Sequence, residues 1–282
     1  MRLFLIRTGT GILLVTLVLA SIFVSGEWGN VVNIFNVFLL FACLSMFEYR
    51  MLLEKLGNNL SIYFFVVAMV VYFLVSHTSF WNTAELSTVI LVLISSFILF
   101  FAVELFRKEE KPFQNIAYSL MGIAWIIIPF SLINLFPTLT PNSNQGKFLL
   151  LALFVFVWLY DTMAYCIGSL LGRHQLMKHV SPKKSWEGTI GSAILTVGLA
   201  FLAPKLFTMI TLSTLQWVGF AVIVVVMGTL GDLVESLFKR QVDVKDSGTI
   251  LPGHGGILDR FDSILLIVPV ILLYLHFLYK VV

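Results

Sequence analysis

QWVGFAVIVVVMGTLGDLVESL, residues 216–237, is an apolar run broken only near its end by Asp232 and Glu235. As a helix it rises roughly 33 Å, and a bilayer's hydrocarbon core is about 30 Å thick. It does not alternate polar with apolar residues, as a barrel strand in a membrane must. Backbone amides in hydrocarbon have to be satisfied within the segment, so the run is read as a spanning helix.

Working outward, similar windows fall near 8–25, 29–47, 60–77, 86–106, 116–136, 148–171, 189–210 and 263–281. The composition agrees: 59% of residues are hydrophobic and 12% charged, with mean hydropathy +0.98. Soluble domains have about 45–50% and 25%. A water-soluble globule is thereby excluded, and the fold expected is an all-α, polytopic integral membrane protein with about nine transmembrane helices. Arg2 and Arg7 ahead of an apolar stretch have the layout of a signal peptide, but with so many spans following, a retained first helix is expected. Cys43 and Cys166 each sit inside an apolar run, far apart, and read as packing residues.

Nine spans sort the 18 lysines and arginines sharply. Arg2, Arg7, Arg50, Lys55, Arg107, Lys108, Lys111, Arg173, Lys178, Lys183, Lys184, Lys239, Arg240, Lys245 and Arg260 share one face, and Lys147, Lys205 and Lys280 the other. By the positive-inside rule the first face, with the N-terminus, is cytoplasmic and the C-terminus is external. The expected location is the cell membrane. The weak net charge of +3 gives no reason to expect nucleic-acid binding.

Acids after Glu110 gather on the cytoplasmic side: Asp161, Glu187, Asp232, Glu235, Asp243, Asp246, Asp259 and Asp262. The first five spans carry little beyond flanking charges, with Glu104 near a helix end, and read as scaffold or lipid contacts. Residues 1–140 are therefore expected to supply scaffold, dimer or lipid contacts. Residues 141–282 are expected to form the catalytic region, with cytoplasmic loops 172–188 and 239–262.

Within that region, Asp232, Glu235, Ser236 and Lys239 share one helix face by their spacing. An intramembrane carboxylate costs about 2.5–3.5 kcal/mol on insertion scales and marks a functional site by default. A salt bridge to a lysine of a neighbouring helix is the plainer alternative. The following loop interleaves Lys239, Arg240, Lys245 and Arg260 with Asp246, Asp259 and Asp262, beside Gly248, Gly253, Gly255 and Gly256. Glycines let a backbone approach an anion, cations neutralise phosphate, and interleaved carboxylates suit Mg²⁺ bridging a nucleotide. A solvated connecting loop also accounts for some of this charge. His254 has no second histidine at a zinc spacing.

Upstream, DTMAYCIGSLLGRH (161–174) puts Asp161 and Tyr165 one turn apart, and Gly168 with Gly172 permits a close helix crossing. SPKKSWEG (181–188) adds Lys183, Lys184 and Glu187, and equally fits an ordinary positive-inside loop anchored by Trp186.

The run SLFKRQVDVKDSGTILPGHGGILDRFD (236–262) resembles the signature of the phosphatidate cytidylyltransferase family, also called CDP-diacylglycerol synthases. The two upstream blocks resemble family segments as well, so the likeness covers the C-terminal 120 residues or so; the first five spans share only hydrophobicity with it. Ser185 stands where threonine is frequent, and Met163 and Cys166 occupy variable positions.

The resemblance implies a homodimeric enzyme that turns CTP and phosphatidic acid into CDP-diacylglycerol and pyrophosphate with Mg²⁺, and with a monovalent cation such as K⁺ near it. It further implies Lys239, Arg240, Lys245, Asp246, His254, Asp259, Arg260 and Asp262 as catalytic residues. Asp161, Tyr165, Lys183, Lys184, Glu187, Ser236, Gly255 and Gly256 are implied for substrate, and Asp232, Asp246, Asp259 and Asp262 for the metal. A CTP-dependent polyprenol or phytol kinase is the alternative, followed by a transporter; the latter should show broken helices in paired halves, which are absent from the pattern.

Overall fold

The structure is a computed structural model that describes residues 2–23, 30–77, 83–140, 142–253 and 255–280; side chains are described from residue 8 on, except those of 30–33, 83–89 and 280. His254 lies outside the described residues.

Among the described residues each apolar run forms a helix over most of its length. In chain order they are α1 (Arg2–Phe23), α2 (Asn30–Lys55), α3 (Ile62–Ser76), α4 (Thr83–Arg107), α5 (Pro112–Thr138), α6 (Ser143–Leu171), α7 (Trp186–Leu206), α8 (Thr214–Gln241) and α9 (Leu258–Lys280). Among the described residues seven are long and apolar enough to cross a membrane, while the apolar stretches Thr8–Phe23 and Ile62–Ser76 are shorter. Between α6 and α7 lies a feature the hydropathy pattern left as loop. It is an antiparallel pair, β1 (Gln175–Met177) and β2 (Ser181–Ser185), with Gln175 opposite Ser185.

Local chemistry sets the helix boundaries. Ser213 and Gln216 form a reciprocal capping box at the start of α8, with bonds of 3.3 and 2.8 Å. Ser185 Oγ accepts from Gly188 N at 3.1 Å to begin α7, and Pro112 opens α5, where its missing N–H costs nothing. Within α5 the turn Ile123–Ile127 is π-helical and Ile133–Thr138 is 3₁₀.

The chain divides into two compact units, Met1–Leu135 with Asp246–Asp259, and Phe136–Lys245 with Arg260–Val282. In the first, α2, α3 and α5 enclose Phe38, Tyr49, Phe64, Tyr72 and Phe130, all fully buried. Asn134 donates to Tyr72 Oη and Ser76 Oγ at 3.0 Å each, a polar tie of the kind that holds helices together where lipid is as apolar as leucine. Glu104 is buried against Arg107 and Asn115, as befits a charge at a helix end. Leu91, Ile98, Leu105 and Phe106 of α4 stand exposed on the outside, a surface suited to acyl chains.

In the second unit α6, α7 and α8 pack on one another. Trp217 is buried between Phe156 and Phe207, with ring centroids 5.7 and 5.6 Å away. The close crossing expected from Gly168 is present. A Cβ on Gly188 of α7 would lie 3.0 Å from Gly168 Cα and 2.8 Å from Ala164 O, so α7 has no room for a side chain there. Gly231 does the same for α8 and α9: its Cβ would come 2.5 Å from Asp262 O. That approach brings the backbone at Asp262 and Ser263 against the stretch of α8 that carries Asp232.

Candidate active site

In the second unit the ends of α6, α8 and α9 and the strand β2 carry most of the implied residues. Asp161 lies on α6, Asp232 on α8 and Asp262 near the start of α9, with Asp161 and Asp262 both within range of the charge of Asp232. Lys184, Lys239 and Arg260 supply positive charge to the same group. Lys184 Nζ sits 2.5 Å from Asp232 Oδ2, and Ser236 Oγ donates to Asp232 Oδ1 at 3.2 Å. The lysine facing Asp232 therefore comes from a strand, one residue before the cap of α7, rather than from a neighbouring helix. Asp262 Oδ1 accepts from Ser263 N at 2.7 Å.

Lys239 and Glu235 form a second pair one turn on, at 2.5 Å, with Glu235 entirely buried and Lys239 nearly so. The face that spacing suggested is thus divided. Asp232 and Ser236 belong to the acidic group, while Glu235 holds the lysine in place. Arg240 donates from Nε to Val180 O and from Nη1 to Val244 O, at 3.3 and 3.1 Å, tying the end of α8 to the turn before β2. Glu187 accepts from the backbone amides of Arg173 and His174 and from His174 Nδ1, so it shapes the turn that leaves α6. Tyr165, Lys183 and Lys245 are exposed. An open groove of about 710 Å³ runs along α6 and α7, lined by Ile167, Leu171, Trp186, Ile190 and Ile194, with His174 and Glu187 at its polar end.

The glycine-rich segment Asp246–Asp259 belongs to the first unit and has its own organisation. Asp259 accepts from Ser247 N with both oxygens, at 2.9 and 3.1 Å, and from Gly256 N at 2.8 Å. Asp246 is exposed and lies beside Gly255, whose Cβ would be 3.4 Å from that of Asp246. Gly248 and Gly256 do approach an anion, as glycines in such a loop were expected to, but it is a protein carboxylate. Cβ atoms there would fall 2.5 and 2.4 Å from the oxygens of Glu48 on α2. Glu48 went unnoticed in the sequence because a single acid at the end of an apolar helix looks like a flanking charge.

Among the described residues no three acids, histidines or cysteines stand together at metal-ligating distance. The donor chemistry of Asp232 and Asp262, each within reach of the other's charge, nevertheless fits Mg²⁺, which takes one or two carboxylates and completes its shell with water and substrate phosphate.

Apolar helices long enough to span a bilayer, with acids and lysines held at their ends, define a polytopic membrane enzyme of charged substrates. The chain belongs to the cytidylyltransferase family, which it matches over residues 5–278, first helices included. It is 36% identical over 206 residues to the phosphatidate cytidylyltransferase of Staphylococcus aureus strain COL, covering 73% of this chain and 75% of that one. The protein of the same name from Staphylococcus saprophyticus is 38% identical over 193 residues, 68% and 70% of the two chains. That of Staphylococcus epidermidis strain RP62A is 38% identical over 164 residues, 58% and 60%.

Proposed function

We propose that this enzyme transfers CMP from CTP to phosphatidic acid, giving CDP-diacylglycerol and pyrophosphate at the cytoplasmic face of the cell membrane. The observation that carries the reading is the group of Asp161, Asp232 and Asp262 set among Lys184, Lys239 and Arg260. The acceptor is supported by the name shared by the staphylococcal relatives.

A phosphate oxygen of the lipid attacks the α-phosphorus of CTP. A new P–O bond forms there, the bond to the β-phosphate bridging oxygen breaks, and pyrophosphate leaves with the electron pair. The lipid phosphate is already anionic near neutral pH, so the protein supplies no covalent nucleophile; positioning and charge neutralisation dominate. Asp232 and Asp262, with Asp161, would be the residues to hold Mg²⁺. When bound, the ion would offset charge on the triphosphate and the departing pyrophosphate. Lys184 and Arg260 neutralise phosphate, and the exposed Lys183 and Lys245 meet anions arriving from water. The apolar groove along α6 and α7 offers the acyl chains a path that keeps them in lipid while the phosphate reaches the interface.

Isotope position tests the reading against lipid phosphorylation. With CTP labelled at the α-phosphate, the label is expected in the lipid product, and with label at the γ-phosphate none is. Transfer of γ-label would make the protein a CTP-dependent lipid kinase.

A further inference from the structure

Glu48 is a buried acid on a spanning helix that the proposed chemistry does not use. Its carboxylate collects three donors from a segment some two hundred residues further along the chain. Ser247 Oγ donates to Oε2, Ile257 N to Oε1 and Leu258 N to Oε2, each at 3.0 Å. Ile257 and Leu258 open α9, so Glu48 satisfies amides that have no partner within the helix. Ser247 opens the other end of the loop. One carboxylate thus closes both ends of the segment, and the space for a side chain at Gly248 and Gly256 is taken by its oxygens. Asp259 then staples the interior by accepting from Ser247 N and Gly256 N.

We propose that Glu48 is the positioning residue of the 246–259 loop: through it α2 fixes the conformation of the segment that carries Asp246 and Asp259. The inference rests on the cytidylyl-transfer reading for its functional half. Hydrogen bonds from neutral donors to a charged acceptor are stronger than neutral ones, and three of them from two ends of a loop hold it in one arrangement. Glutamine at this position keeps the size but turns an NH₂ group toward at least one of the donors, so the loop has to move. An aspartate keeps the charge and loses reach, and alanine at 247 removes a single donor.

The test compares wild type, Glu48→Gln, Glu48→Asp and Ser247→Ala, purified in detergent and monodisperse. Hydrogen exchange in protein free of nucleotide and metal is expected to speed up by about tenfold or more over residues 246–259 in Glu48→Gln, with α6 to α8 unchanged. Glu48→Asp and Ser247→Ala should fall in between. In the CDP-diacylglycerol assay the same order should appear as a rising KM for CTP. Wild-type exchange over 246–259 in all three variants overturns the proposal. So does a loss of activity that leaves KM unchanged, since that reports only less folded protein. If Glu48→Gln cannot be purified folded, the two milder variants decide by the same criteria. Absence of product from the wild type counts against the cytidylyl-transfer reading, whereas the exchange experiment still decides whether Glu48 holds the loop.

Discussion

Asp232→Asn is expected to leave the protein folded and to lower the rate of CDP-diacylglycerol formation by about 10³-fold, the scale on which loss of one preorganised electrostatic contact acts. Asp232 is about one-third exposed, so its charge is not a buried element of the core. Asparagine keeps the shape and can still accept from Ser236 Oγ, which lies 3.2 Å from the present carboxylate. What disappears is the negative charge beside Lys184, Asp161 and Asp262. Mg²⁺ strongly prefers carboxylate oxygen, and on the proposed reading one acid fewer would hold the ion weakly and leave triphosphate charge uncompensated. Initial rates on monodisperse protein over a Mg²⁺ series check this. A variant with near wild-type rate at every Mg²⁺ concentration removes Asp232 from the site.

Lys239→Ala is expected to fail differently, through stability. Glu235 has no exposed surface, and the ammonium of Lys239 lies 2.5 Å from its Oε2. Taking that ammonium away leaves a carboxylate in a low-dielectric interior, which costs about 3–5 kcal/mol when one member of a buried pair is deleted. Thermal or denaturant unfolding in detergent should show the loss directly. Replacing both members with apolar residues of similar size, Glu235→Leu with Lys239→Met, removes the burial penalty along with the attraction and should recover much of the stability. Activity should not return with it, because the double variant lacks the Lys239 charge that acts on Asp262. Wild-type stability in Lys239→Ala would show that the pair does not hold the end of α8.

Some of this was legible from residue order alone, for identifiable reasons. Spans such as 216–237 declare themselves because lipid demands uniform apolarity over a fixed length, and nothing elsewhere in the chain can override that demand. The crossing at Gly168 was legible because small residues one turn apart leave room for a backbone, and Gly188 fills it. The hairpin of β1 and β2 was not: its residues, SPKKS among them, have no strand-like alternation, and the pairing is completed by Trp186 N donating to His174 O at 2.9 Å. Chemistry-bearing residues were found more readily than their partners. Asp232, Lys184, Ser236 and Lys239 stood out by type and spacing, yet pairing Lys184 with Asp232 and Glu235 with Lys239 needed the packing of three elements. Glu48 shows the limit most clearly. Its meaning lies in amides at Ile257 and Leu258, and no local pattern around residue 48 announces them.

The most direct test of the account is to supply purified protein with CTP and phosphatidic acid and to quantify lipid product and pyrophosphate together, with Mg²⁺ and then with a chelator in excess. Cytidylyl transfer predicts CDP-diacylglycerol and pyrophosphate in equal amounts with Mg²⁺, and neither once the ion is removed. A lipid product accompanied by CDP instead of pyrophosphate, or no lipid product with any divalent cation, would contradict it.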